Sequence, residues 1–124
     1  MNQSIAEIRR KVAREDGASW QDVDAVDDIL EAEGPTVELL ILRGQLIQLA
    51  ANGRPEELEE AFACYREALD LDPDSAAAHE EMGHFLDAVM DEPAEAVTFF
   101  RRAIELGAGE SASEGLREAL SEID

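Results

Sequence analysis

The sequence predicts an all-α fold of about seven helices. Three observations carry that reading. Gly, Pro, Ser and Asp in helix-capping positions interrupt the chain every 12 to 20 residues. Between these marks apolar residues recur at three- and four-residue spacing, which lines one side of a helix. No segment sustains the period-two alternation of a half-buried strand.

The elements follow from the punctuation. A first helix near residues 3–15 ends at Gly17. Ser19 with Asp22 three residues on resembles an N-terminal capping box and opens a helix near 19–33, which Gly34-Pro35 ends. The third helix runs from Gly34-Pro35 to Asn52-Gly53. Pro55, followed by Glu56 and Glu57, opens the fourth, because Pro tolerates the first turn and early carboxylates suit the positive end of the helix dipole. Asp72-Pro73-Asp74-Ser75 separates the fourth and fifth helices, and Glu92-Pro93 opens the sixth. Gly107 and Gly109 end the sixth helix. Ser111 with Glu114 is expected to cap a seventh near 111–123. Turns this short make successive helices antiparallel neighbours.

Two stretches superimpose. EEAFACYREALDL at 59–71 and AEAVTFFRRAIEL at 94–106 align at an offset of 35, pairing Ala61 with Ala96, Tyr65 with Phe100, Ala68 with Ala103 and Leu71 with Leu106. Each is preceded by a helix with one internal glycine, Gly44 or Gly83. A helix–turn–helix unit is therefore used twice. Its small residues are expected where helix backbones approach closely, and Tyr65 and Phe100 are expected to fill the gap between one hairpin and the next.

This pattern resembles the tetratricopeptide repeat family, whose unit is about 34 residues. The matching positions are Gly44, Ala61, Tyr65, Ala68 and Pro73 in one unit and Gly83, Ala96, Phe100 and Ala103 in the other. Ala108 stands where the second unit's closing Pro would fall, and the early Trp of the family is missing from both units. Gly44 to Ala61 spans 17 residues against 13 for Gly83 to Ala96, so the first unit must hold roughly one more helical turn around 51–60. The resemblance implies a right-handed α-solenoid of helix hairpins in a single domain. Residues 1–34 would form a degenerate N-terminal hairpin, 35–74 and 75–108 the two repeats, and 110–124 a C-terminal capping helix.

Composition narrows the function. The 124 residues carry 30 Asp and Glu against 10 Lys and Arg, a net charge of −20. That field repels nucleic acid and anionic membranes and attracts basic partners. The acidity is spread along the chain rather than gathered in a tail, a composition that also fits a halophilic protein. One cysteine, Cys64, excludes an internal disulfide. The N-terminal stretch lacks a signal-peptide core, and the most apolar run, VELLILRGQLIQLAA, is too short to span a bilayer. The chain reads as cytoplasmic.

The stretch HEEMGH at 79–84 looks superficially like a zinc site. A zincin helix needs two His at i and i+4 to reach one metal. Here His79 and His84 are five apart, about 140° round the helix. No metal and no cofactor is therefore assigned. Glu80, His84 and Asp87 share one stripe, read first as a solvated polar face. Cys64 reads as an apolar filler, its thiol pKa raised by surrounding acids. Trp20 reads as a packing anchor, and the basic group of Arg9, Arg10, Lys11 and Arg14 as internally paired. No enzymatic constellation emerges.

By resemblance, a peptide groove would be lined by Glu38, Ile41, Gln45, Gln48 and Leu49 in the first unit and by Ala77, Glu80, His84 and Asp87 in the second. These positions carry no Lys, Arg or Asn, so they do not suit an acidic chaperone tail. The resemblance implies a non-enzymatic scaffold or adaptor binding another protein through a basic or apolar-basic segment. Two alternatives stay open: a type III secretion-like chaperone, and a self-assembling homo-oligomeric repeat protein.

Overall fold

The computed structural model describes residues 5–14, 18–51 and 54–123. The described residues are all-helical: α1 (Ile5–Arg14), α2 (Trp20–Glu33), α3 (Val37–Ala51), α4 (Pro55–Leu71), α5 (Ala76–Ala88), α6 (Pro93–Glu105) and α7 (Glu110–Ser121). Gly17 and Asn52-Gly53 lie outside them. Among the described residues no helix is long and apolar enough to cross a membrane.

The helix ends show which signals act. Ser19 and Asp22 form the expected capping box: the Ser19 backbone N–H donates to the Asp22 carboxylate at 2.9 Å. Asp22 is 1% exposed, and Lys11 of α1 reaches it at 3.0 Å, so its burial is compensated. Gly34 stops α2 at φ 87°, a left-handed conformation favouring glycine. The cap of α3 is Thr36 rather than Pro35; its hydroxyl accepts from the Leu39 N–H at 3.1 Å. Ser75 caps α5 in the same way, accepting from Ala78 at 3.1 Å. The seventh helix departs from expectation. It starts at Glu110 with Gly109 at the N-cap, and Ser111 lies inside it. The Ser111 hydroxyl is engaged by His84 Nε2 at 3.2 Å and does not cap the helix.

The chain divides into two compact units, Met1–Ala68 and Leu69–Asp124. In the first, α3 packs against α2 and α1 and carries α4. Its Leu39, Leu40, Leu42, Leu46, Ile47 and Ala51 are buried, so this helix is apolar on nearly every side. In the second, α6 packs between α5 and α7. Arg102 near the end of α6 reaches Asp74, just before α5, at 3.1 Å, as the antiparallel course of α5 and α6 requires. The length difference read from the glycine spacing resides in the helices: α3 and α4 have 15 and 17 residues, whereas α5 and α6 have 13 each.

The repeat positions form the centres of both cores. Ala61, Tyr65 and Ala68 are fully buried, as are Ala96, Phe100 and Ala103. Pro73 is exposed; it acts at the turn, where its carbonyl accepts from His79 Nε2 at 2.8 Å. The glycines serve a role different from the expected backbone-to-backbone approach. A Cβ at Gly44 would stand 2.6 Å from the Tyr65 ring, and one at Gly83 would stand 2.8 Å from the Phe100 ring. Each aromatic therefore lies over the glycine of its own hairpin, where it was expected to fill the space to the next one. Phe100 does both. Gly115 of α7 lies on its other side, where a Cβ would approach to 2.5 Å.

Phe100 is wedged from two sides and cannot swing away from an added methyl group. Gly115→Ala is accordingly expected to destabilise the protein by about 1–3 kcal/mol, even though Ala is intrinsically the better helix former by about 1 kcal/mol. Urea unfolding gives the sign directly, and a stabilised Gly115→Ala variant would contradict the wedge.

Candidate functional site

One face of α3, bordered by α1 and α4, carries the residues expected on a ligand-binding surface of the first repeat. Glu38 is exposed, and Ile41, Gln45, Gln48 and Leu49 are half-buried. Three of them, Gln45, Gln48 and Leu49, line a concavity of about 310 Å³ together with Val12 of α1. The floor is mixed: Val12 and Leu49 supply apolar surface and the two glutamines supply amides. The Tyr65 hydroxyl of α4 donates to the Gln48 Oε1. With its oxygen so used, the Gln48 amide keeps its N–H donors for a ligand. Glu38 lies beyond the glutamines and is held by Arg9 of α1 at 3.0 Å. The basic group of α1 is thus internally paired at Arg9 and Lys11.

One charged junction underlies this face. Arg43 of α3 donates through Nε to Asp27 of α2 at 2.6 Å, and it reaches Glu60 of α4 at 3.4 Å and Cys64 Sγ at 3.1 Å. Burial works against its charge, but the hydrogen bonds to Asp27 and Cys64 outweigh that and hold Arg43 above its ordinary pKa. Cys64 is 4% exposed. Burial pushes its thiol pKa up, against the pull of the Arg43 hydrogen bond, and the acids Glu60 and Glu67 contribute less. The thiol is therefore a hydrogen-bonded part of a three-helix junction as well as a filler of space.

In the second unit the corresponding residues lie along α5. Ala77 is exposed, and Glu80 and Asp87 are half-buried. His84 is 3.7 Å from Glu80, and its ring edge meets Phe100 at 4.9 Å between centroids. Asp87 lies near Glu122, just past the end of α7, and their interaction pushes the Glu122 carboxyl pKa up. The stripe that joins Glu80, His84 and Asp87 in sequence is thus bordered by α7. His79 and His84 hold different partners, Pro73 and Ser111. Among the described residues no group of three His, Cys, Asp or Glu converges as a metal site would require. Trp20 opens α2 half-buried.

Three features were missed in the sequence reading. Gly115 carries a faint signal, a third small residue inside a helix that follows a repeat. The Arg43–Cys64 contact and the meeting of Asp87 with Glu122 join residues 21 and 35 apart, and no local pattern encodes either.

Residues 56–86, which run from the first turn of α4 into α5, match a family model described as TPR repeat. That stretch of the chain is similar to a tetratricopeptide repeat, the kind of unit that serves as a protein–protein interaction scaffold. No curated protein is significantly similar to the chain.

Removing the Tyr65 hydroxyl separates packing from polar contact. Tyr65→Phe keeps the ring over Gly44 and is expected to cost about 0.5–1.5 kcal/mol in urea unfolding. No cost at all would mean that Gln48 is not held by Tyr65.

Proposed function

We propose that the protein is a non-enzymatic adaptor that holds a basic or apolar-basic segment of another protein on the α3 face of its first unit. The observation that carries this reading is the concavity bounded by Val12, Gln45, Gln48 and Leu49, with Glu38 on the same face. Its chemistry suits a peptide. Val12 and Leu49 take an apolar side chain, and the Gln48 amide donates to a backbone carbonyl of the ligand. The carboxylates of a chain with net charge −20 draw in Lys and Arg from a distance. The α5 stripe of Ala77, Glu80, His84 and Asp87 in the second unit offers a separate set of contacts that includes two carboxylates.

The test uses arrayed 12-residue peptides that differ in charge and apolar content, followed by calorimetric titration of the best binders. Peptides joining apolar residues with Lys or Arg are expected to bind and to weaken as salt rises. Leu49→Lys, which places a positive charge at the concavity, is expected to reduce their affinity about tenfold or more with the helical spectrum unchanged. Equal binding of acidic peptides, or indifference to Leu49→Lys, would sink the reading.

A further inference from the structure

The chain contains one segment with the chemistry proposed for its partner. α1, with the sequence IAEIRRKVAR, holds four of the ten Lys and Arg residues against a single carboxylate, Glu7. The other helices among the described residues are neutral or acidic. Ile5, Ile8 and Val12 recur at three- and four-residue spacing, so α1 is an amphipathic helix with a basic flank.

This helix already lies on the α3 face. Ile8 is fully buried, and Ile5 and Val12 are half-buried. Arg9 reaches Glu38, in the first turn of α3, at 3.0 Å. Val12 forms one wall of the concavity that Gln45, Gln48 and Leu49 otherwise line. α1 thus holds the Glu38 end of the face, and the concavity is the part that it leaves open. Its two ion pairs differ in kind. Lys11 neutralises Asp22, which is 1% exposed, so breaking that pair strands a buried charge. Arg9 and Glu38 are 50% and 79% exposed, and solvent screening leaves such a pair weak. Glu38 is therefore the group that α1 gives up most readily.

We infer that α1 is a built-in competitor for the α3 face, an autoinhibitory contact whose occupant resembles the ligand. The inference rests on the adaptor reading of that face. An apolar-basic segment of a partner enters at the concavity, takes Glu38 from Arg9 and loosens α1 from its seat. The affinity of the partner is then reduced by the fraction of molecules in which α1 holds Glu38.

Two variants with the same change in charge separate competition from long-range attraction. Arg9→Ala and Arg10→Ala each remove one cation, but Arg9 reaches Glu38, whereas Arg10 bonds back to the Ala6 carbonyl of its own helix at 3.3 Å. The probe is a labelled, end-capped peptide with the α1 sequence, read by fluorescence anisotropy on the full chain at low salt. Arg9→Ala is expected to bind it about threefold or more tighter than the parent, and Arg10→Ala as the parent does. Hydrogen exchange read by mass spectrometry is expected to quicken in α1 of the parent when the peptide saturates it. Equal affinities of Arg9→Ala and Arg10→Ala overturn the inference, as does α1 exchange that stays unchanged at saturation. If the peptide binds all these chains alike and Leu49→Lys still weakens it, the competition falls and the adaptor reading stands. If neither this peptide nor any arrayed apolar-basic peptide binds the parent or Arg9→Ala, both fall.

Discussion

The second unit depends on one ring. Phe100 is fully buried, with Gly83 on one side and Gly115 on the other, so three helices meet at a single aromatic. Neither glycine is needed for backbone conformation; both are inside helices, where glycine is unfavourable. Their contribution is the absence of a side chain where the ring must lie. Close-packed interiors do not yield by a methyl group without strain elsewhere. The first unit repeats half of the device, with Tyr65 over Gly44, and replaces the other half with a hydrogen bond to Gln48.

Much of the architecture could be read in advance because its signals are local. Glycine, proline and capping side chains act on their own turn, so α2 begins at Ser19–Asp22 and α5 at Ser75 as the residues indicate. The 17-to-13 difference in glycine spacing could likewise be converted into longer α3 and α4. Errors arose where a local signal competed with a distant partner. Ser111 resembled a cap, but His84 engages it from another helix. The glycines were read as backbone contacts because sequence cannot say which atom fills the space above them.

The candidate binding face was partly legible and partly not. Helical spacing alone places Gln45, Gln48 and Leu49 on one side of α3. That Val12 joins them depends on how α1 lies against α3, and the orientation of the Gln48 amide depends on Tyr65. The charge distribution was legible as a total but not as pairs. Arg9, Lys11, Arg43 and Arg102 are each committed to carboxylates, so the cations present neutralise particular carboxylates and leave others, such as those around Glu122, without countercharge.

The burial of α3 bears on how this protein can change over generations. Leu39, Leu40, Leu42, Leu46 and Ile47 are enclosed, Gly44 accommodates a ring and Arg43 joins three helices. Substitution at any of them would be purged with the fold itself. Between Glu38 and Leu49, mutational freedom in this helix therefore falls on Glu38, Ile41, Gln45, Gln48 and Leu49. Lineages of this protein can diverge along that single strip while the rest of the helix stands still, and a map of tolerated variants would trace the strip without any knowledge of what it touches.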